Sequence, residues 1–181
     1  MIDKYSLIKV IMEIIRYNDE FSIRETAKKI ETSPSATKYA LDFLLKEGIL
    51  EKRILGRNHL FRVKNTFLTK HIKMLYSLSE INSSGIIEEL TKKDKDAMSI
   101  IIYGSVARGE DDYKSDIDIM IISRKKINTA NLNKEIVLKR EINIANYTYS
   151  EWKKKAVSDK AFYNNVILNC IVLFGEKPVV V

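Results

Sequence analysis

The chain has 181 residues, of which 45% are hydrophobic, with one cysteine and a formal net charge of +7. This length suits one large or two small domains, and a single cysteine excludes an intrachain disulfide. No apolar run approaches the roughly 20 residues of a membrane span, and the amphipathic first residues differ from a signal peptide. We therefore expect a cytoplasmic protein without a membrane partner, and its positive charge favours nucleic acid or nucleotide phosphates as partners.

The first 64 residues predict three helices followed by a β-hairpin. Apolar residues recur at helical spacing from residue 2 to residue 18 and predict the first helix. Ser22, followed three residues later by Glu25, is a capping-box pattern. It predicts a second helix that runs to about Ile30.

A third helix and a hairpin follow in the pattern. Ser33 is its predicted cap, Pro34 suits the first helical position, and Gly48 predicts the end. Strand patterns at residues 49–55 and 59–64 flank a short Gly-containing loop, which is typical of a hairpin. We expect the third helix to bury one side, made of Ala36, Tyr39, Ala40, Phe43 and Leu44.

This element order, centred on SIRETAKKIETSPSATKYALDFLLKEGILEKR, resembles the winged helix-turn-helix domains of bacterial and archaeal transcription regulators over roughly residues 4–64. The resemblance implies double-stranded DNA as a partner, with the third helix in the major groove and the hairpin, or wing, on the backbone or minor groove. The candidate DNA-binding residues are Ser35, Thr37, Lys38, Arg53, Arg57 and Arg62, with Asn58 also on the wing.

Two observations leave other roles open for this domain. Asp42 and Glu47 dilute the positive charge of the third helix, and winged helices also serve as dimerisation or protein-docking modules. Because such domains often dimerise on palindromic sites, a homodimer is a reasonable expectation.

Residues 65–82 predict a helical connector. Its apolar residues repeat at helical intervals, and Asn82-Ser83-Ser84-Gly85 interrupts the repeat. The pattern resumes at Ile86, which we expect to lie in the first helix of a second domain at residues 83–181.

Residues 100–122, IIIYGSVARGEDDYKSDIDIMII, carry the clearest functional signal. Asp116 and Asp118 are two residues apart, so in a strand both carboxylates leave the same face. Paired carboxylates suit Mg²⁺ or Mn²⁺, hard cations that take oxygen ligands and bind phosphates. Gly104 lets backbone N–H groups approach a phosphate, and a helix N-terminus at Ser105 favours the same anion. This arrangement fits metal-assisted attack on a nucleoside triphosphate.

The order Gly104-Ser105, a ten-residue gap and Asp116-Ile117-Asp118-Ile119 resembles the signature of DNA polymerase β-type nucleotidyltransferases. The segments GSVARGE and SDIDIMI are most similar to the minimal branch of that superfamily. The resemblance implies transfer of an NMP from an NTP such as ATP, with release of pyrophosphate. It assigns metal binding and catalysis to the two aspartates, and nucleotide binding to Gly104, Ser105 and Arg108. The alternative for Arg108 is a surface ion pair with Glu110 or Asp111.

The acceptor stays open among a protein side chain, an RNA end and a small molecule. Small members of the superfamily often modify a protein partner, and some act as antitoxins toward helical toxin proteins. The resemblance therefore also makes a protein acceptor or a toxin a candidate partner.

The family usually has a third carboxylate on a neighbouring strand, which we expect at residues 140–148 after a helix at 131–139. The family pattern has an aspartate flanked by apolar residues, and the resemblance therefore matches Asn143, between Ile142 and Ile144, to this position, although asparagine is not a base. Glu141 lies on the same face, about 7 Å away along the strand, and is our candidate for the missing catalytic acid. The alternative is a nucleotide-sensing transcriptional regulator with weak or no catalysis.

Together these patterns predict an α+β protein with three parts. They are a winged helix-turn-helix domain at residues 1–64, a helical connector at 65–82, and a polymerase β-like nucleotidyltransferase domain at 83–181. The last would contain a small mixed sheet packed on helices. Ser150 and Glu151 are expected to cap a further helix, with Trp152 in a core or an interface.

Overall fold

The computed structural model of the protein describes residues 6–127 and 140–180. The chain divides into two compact units, Met1–Lys73 and Met74–Val181. The elements of the first unit are α1 (Ser6–Ile14), β1 (Phe21–Ser22), α2 (Ile23–Lys29), α3 (Pro34–Lys46), β2 (Leu50–Leu55) and β3 (Asn58–Val63). Helix α4 (Phe67–Ser84) begins in the first unit and ends in the second.

The second unit continues with two further helices and the first strand of its sheet. These elements and those that follow are α5 (Ile86–Lys93), β4 (Ala97–Tyr103), α6 (Gly104–Ala107), β5 (Ile117–Ser123), β6 (Ile142–Thr148), α7 (Tyr149–Ser158), α8 (Lys160–Asn169) and β7 (Ile171–Gly175). The helix predicted at residues 131–139 lies outside the described residues. The predicted interruption of the connector is confirmed, because Gly85 adopts a left-handed conformation with φ 69° between α4 and α5.

In the first unit, α1 and α2 pack against α3 beside an antiparallel sheet of order β1-β3-β2. The predicted capping box is confirmed, since Ser22 Oγ accepts a hydrogen bond from the Glu25 N–H at 3.3 Å and Glu25 accepts one from the Ser22 N–H at 2.8 Å. The predicted cap of α3 is confirmed too, because Ser33 Oγ accepts the Ala36 N–H. Two residues, Gly56 and Arg57, connect β2 to β3 in the hairpin.

The buried face of α3 differs from the one that the sequence predicts. The buried residues of α3 are Thr37, Ala40, Leu41 and Leu44. These positions follow the i, i+3, i+4, i+7 spacing of one helical face. Tyr39 is 79% exposed and Phe43 is 41% exposed, so their expected burial is wrong. The packing of α1 and α2 against α3 selects this face over the more aromatic one.

The second unit is built on a four-stranded sheet of order β6-β5-β4-β7. It is a mixed sheet, as the sequence predicts, whereas the number and order of its strands are new. Strands β5 and β6 are parallel, and the other two pairs are antiparallel. Alternating residues of β4 and β5 enter different hydrophobic cores, because successive side chains of a strand point to opposite faces. One core joins Ile100, Ile102 and Ile119 to α5, and the other joins Ile101 and Met120 to α7 and α8.

Trp152 lies in the second core. The sequence predicts either a core or an interface for this residue, and the core is correct. Its side chain is fully buried, and its indole N–H donates to the Pro178 carbonyl oxygen at 2.7 Å. The predicted cap of this helix is wrong by two residues. Thr148, not Ser150, caps α7, because Thr148 and Glu151 exchange the two hydrogen bonds of a capping box. Within residues 6–127 and 140–180, no helix combines the length and apolar character that a membrane crossing requires.

Candidate functional site

The candidate site lies where β4 ends and β5 and β6 begin. Tyr103 at the end of β4 is paired with Asp118 on β5, and Asp118 is paired with Asn143 on β6. These three residues therefore form one row across three adjacent strands. Asp116 lies just before β5, and α6 begins at Gly104. The local fold thus brings the aspartate pair and the Gly-Ser turn to one end of the sheet.

The two aspartates meet at a single amide group. Asn143 Nδ2 donates to Asp116 Oδ2 at 3.2 Å and to Asp118 Oδ1 at 3.5 Å. Both carboxylates consequently lie on the same face, as their spacing predicts. Because one small donor reaches an oxygen of each, the two carboxylates lie close enough together to share one positively polarised partner.

The environment raises the pKa of the Asp118 carboxyl above its ordinary value. Partial burial is the main cause, since desolvation disfavours the charged form, and the negative charge of Asp116 acts in the same direction. The amide of Asn143 and the positive charge of Arg108 act against the shift. Tyr103 also has a raised pKa, because of its burial and then the charge of Asp118. The site therefore concentrates negative charge that a bound cation would stabilise.

Gly104 is in direct contact with Asp118. Its φ of 73° belongs to the left-handed region, and a Cβ atom added there would lie 2.3 Å from Asp118 Oδ2. The carboxylate is therefore seated against the glycine backbone, and no other residue leaves room for it. Ser105 follows in the first turn of α6, which begins at Gly104 and not at Ser105 as the sequence suggests. Both residues are half-buried.

Arg108 takes part in an ion pair next to the site. Its Nε donates to Glu110 Oε2 at 2.8 Å, which is one of the two partners considered from the sequence. Both side chains remain substantially exposed, at 34% and 42%. The positive charge of Arg108 also opposes the rise in the pKa of Asp118, so it acts on the carboxylates as well as on Glu110.

Within residues 6–127 and 140–180, Glu141 is not grouped with the aspartate pair as a metal ligand, and its role as the missing base stays a prediction. Strand β6 begins at Ile142, and Glu141 precedes it with an exposed side chain. Its backbone oxygen accepts the Ile117 N–H at 2.9 Å. No group of three or more His, Cys, Asp or Glu residues that could hold a metal ion occurs in the described ranges 6–127 and 140–180. Asn143 holds the position that the register gives to a third acid.

The residues present fit one divalent cation held by two carboxylates. The donors are oxygen atoms, which Mg²⁺ and Mn²⁺ prefer, and two of them already approach the same Asn143 nitrogen. The fit depends on Asp116 and Asp118, with no contribution from Glu141.

Five of the six candidate DNA-binding residues are exposed, namely Ser35, Lys38, Arg53, Arg57 and Arg62. Thr37 is the exception and its predicted exposure is wrong, because it is fully buried and donates to the Ser33 carbonyl oxygen at 3.1 Å. Arg53 pairs with Glu20 at 2.7 Å, so part of its charge is neutralised. Arg57 lies in the two-residue turn of the β2–β3 hairpin.

The structure contains a buried polar network beside the site that the sequence does not predict. Arg140 and Asp111 form an ion pair at 3.0 Å with side chains that are 2% and 0% exposed. Ser77 on α4 donates to Asp111 Oδ2 at 3.2 Å. Asp111 lies within the polar run GEDDYKSD, which reads as a solvated loop, so no sequence signal distinguishes it from its neighbours.

Comparisons with known proteins identify the second half of the chain. The sequence model of the family described as "Polymerase beta, Nucleotidyltransferase" matches residues 86–177, which is more than half of the chain. No curated protein matches the sequence. Among solved structures, reduced HlyU from Vibrio cholerae N16961 is matched at 20% identity over 40% of this chain and 75% of that chain, with a TM-score of 0.35. A TM-score of this size does not establish a shared fold. On its family match, this chain belongs to the polymerase beta nucleotidyltransferase family.

Proposed function

We propose that the second unit binds a nucleoside triphosphate together with Mg²⁺ or Mn²⁺ and transfers its NMP group to an acceptor. The observation that carries this proposal is the convergence of Asp116 and Asp118 on one atom, opposite the glycine turn at Gly104. The two carboxylates would hold the cation. Ser105 and Arg108 lie in the same turn and are the candidate phosphate contacts, as donors of neutral and charge-assisted hydrogen bonds.

In the proposed reaction an acceptor oxygen forms a bond to the α-phosphorus of the NTP. The bond from that phosphorus to the oxygen bridging to the β-phosphate breaks, and pyrophosphate leaves with its electron pair. A bound divalent cation supplies neutralisation of the phosphate charges. The acceptor's proton passes to water, because the residue in the third-acid position, Asn143, is an amide that cannot accept it. We therefore expect slow transfer. The acceptor class remains a protein side chain, an RNA end or a small molecule.

A second candidate function is nucleotide sensing without chemistry, and the position of Asn143 favours it. The amide donates to both carboxylates, where a third carboxylate would instead add negative charge. Such a site would retain nucleotide binding while losing catalysis, and binding would regulate the DNA affinity of the first unit.

Label transfer distinguishes these two functions. We expect [α-³²P]ATP with Mg²⁺ to label an acceptor fraction in the presence of the wild-type protein, and the Asp116→Ala/Asp118→Ala variant to give no label. Equal labelling by the two proteins would contradict the transferase proposal. Mg²⁺-dependent binding of ATP, measured by calorimetry, without any label transfer would support nucleotide sensing instead.

We further propose that the first unit binds double-stranded DNA through α3 and the wing. The exposed residues that support this are Ser35 and Lys38 on α3 and Arg53, Arg57 and Arg62 on the hairpin. The exposed Tyr39 on the same helix adds a stacking or apolar surface. Thr37 is excluded from the interface by its burial.

The turn residue Arg57 provides the test of DNA binding. We expect Arg57→Ala to weaken the binding of labelled genomic fragments by a similar factor for every sequence, since a phosphate contact carries no base information. The slope of log K against log salt should fall by about 1. Fluorescence anisotropy across a salt series measures both. Lys92→Ala, which removes an exposed lysine of α5, is the matched control. No binding by wild type at low salt would exclude this interface.

A further inference from the structure

The polar network behind the aspartate pair contains a fully buried ion pair. Arg140 Nη1 lies 3.0 Å from Asp111 Oδ2, and both side chains are almost completely inaccessible. Arg140 Nη1 also donates to Ser77 Oγ at 3.4 Å, and Ser77 in turn donates to Asp111. Burying two charges is unfavourable unless geometry and further hydrogen bonds compensate for it. A buried ion pair of this kind is therefore weak evidence that Arg140 and Asp111 stabilise the fold, and its hydrogen bonds indicate another role.

The third contact of Arg140 is made with the residue that precedes Asp116. Its Nε donates to the Ser115 carbonyl oxygen at 2.6 Å, and Ser115 immediately precedes Asp116. One guanidinium thus holds two points of the loop between α6 and β5, namely Asp111 and Ser115. The planar fork of arginine makes such simultaneous contacts possible, whereas a lysine ammonium offers no equivalent geometry.

The other side of Asp116 is fixed by the neighbouring residue of the same segment. The Ile117 N–H donates to the Glu141 carbonyl oxygen at 2.9 Å. Asp116 is therefore flanked by two hydrogen bonds, and both end on the adjacent residues Arg140 and Glu141. This segment continues into β6, which carries Asn143.

We propose that Arg140 is a positioning residue that sets the Asp116 carboxylate at the distance from Asp118 that cation binding requires. This inference rests on the proposed function, because it concerns the same cation. Arg140 does not touch the cation. It acts through the Ser115 carbonyl, and Asp111 and Ser77 hold its guanidinium in place. Groups that orient metal ligands in this way commonly change metal affinity by about 10–100-fold when they are replaced.

The test compares Mn²⁺ affinity, measured as loss of the free Mn²⁺ signal in electron paramagnetic resonance, with thermal stability. Arg140→Lys keeps the positive charge opposite Asp111 and removes the Nε donor. We expect its Kd for Mn²⁺ to rise about tenfold. Leu90→Ala, in the core on the face of the sheet opposite the aspartates, is the control for lost stability alone, and its Kd should equal that of the wild type.

The outcomes separate this proposal from the proposed function. If wild type and Arg140→Lys bind Mn²⁺ equally, or if Leu90→Ala loses as much affinity, the positioning role is overturned and the cation site remains. Absence of Mn²⁺ uptake by the wild type overturns both. Should Arg140→Lys fail to fold, Asp111→Asn/Arg140→Met removes both buried charges together, and the same rise in Kd is expected because methionine has no side-chain donor for the Ser115 carbonyl oxygen.

Discussion

Replacing Asn143 with aspartate is expected to tighten Mn²⁺ binding and to accelerate nucleotidyl transfer. Asn143 Nδ2 lies 3.2 Å from Asp116 Oδ2 and 3.5 Å from Asp118 Oδ1, so a carboxylate in its place would point at the same position as the other two. One added charge near a cation is worth a few kcal/mol even at a high effective dielectric, which predicts at least about tenfold tighter binding. A base at this position would add about 10²-fold to the rate of transfer.

The same substitution should make the metal-free protein less stable. In that variant three carboxylates would repel one another. In the wild type the Asn143 amide donates to Asp116 and Asp118, and it opposes the rise in the pKa of Asp118. We expect a lower melting temperature without metal and a larger gain on adding Mn²⁺, because a ligand that binds only the folded state stabilises it. Asn143→Ala is the matched control, since it removes the amide without adding charge.

Three measurements decide this prediction: Mn²⁺ affinity, label transfer and the melting temperature with and without Mn²⁺. Tighter Mn²⁺ binding without faster transfer would show that the third acid is not what limits the reaction, and it would favour nucleotide sensing. Weaker Mn²⁺ binding by Asn143→Asp than by wild type would contradict the cation site at this position.

The aspartate pair could be predicted from the sequence because its placement depends on local rules. Strand alternation puts Asp116 and Asp118 on one face. The family pattern matched Asn143 to the third-acid position, and the structure pairs Asn143 with Asp118. The capping box of Ser22 and Glu25 likewise depends on two residues three positions apart. Gly85 interrupts the connector for an equally local reason, its left-handed backbone.

Features that depend on long-range packing could not be predicted. The helical period allows several faces of α3 to be buried, and only its contacts with α1 and α2 select the one with Thr37. Glu141 satisfies the alternation rule, but β6 starts after it. Arg140 and Asp111 are separated by 29 residues, and Asp111 lies in a polar run that does not indicate burial. Arg140 and Asp111 are brought together only in the folded chain, where β5 pairs with β6.

Replacing Gly104 with alanine is expected to disable the site more than it destabilises the fold. The left-handed backbone conformation, φ 73°, disfavours alanine by about 1–2 kcal/mol. In addition, the new Cβ would lie 2.3 Å from Asp118 Oδ2, so the carboxylate must turn away. A displacement of about 1 Å at a reacting centre can reduce the rate about 10²-fold. We therefore expect Mn²⁺ affinity and label transfer to fall together.

Two other glycines separate the effects of strain, steric clash and carboxylate displacement. Gly85 has a similar φ of 69° and no atom within 4 Å of an added Cβ, so Gly85→Ala reports the strain alone. Gly175, with φ 72°, would place a Cβ 2.1 Å from the Met98 carbonyl oxygen, so Gly175→Ala reports strain plus a clash remote from the aspartates. Only Gly104→Ala should weaken Mn²⁺ binding beyond its loss of melting temperature. If Gly175→Ala weakens Mn²⁺ binding equally, the contact between Gly104 and Asp118 has no special part in holding the cation, and the site depends on the stability of the whole unit.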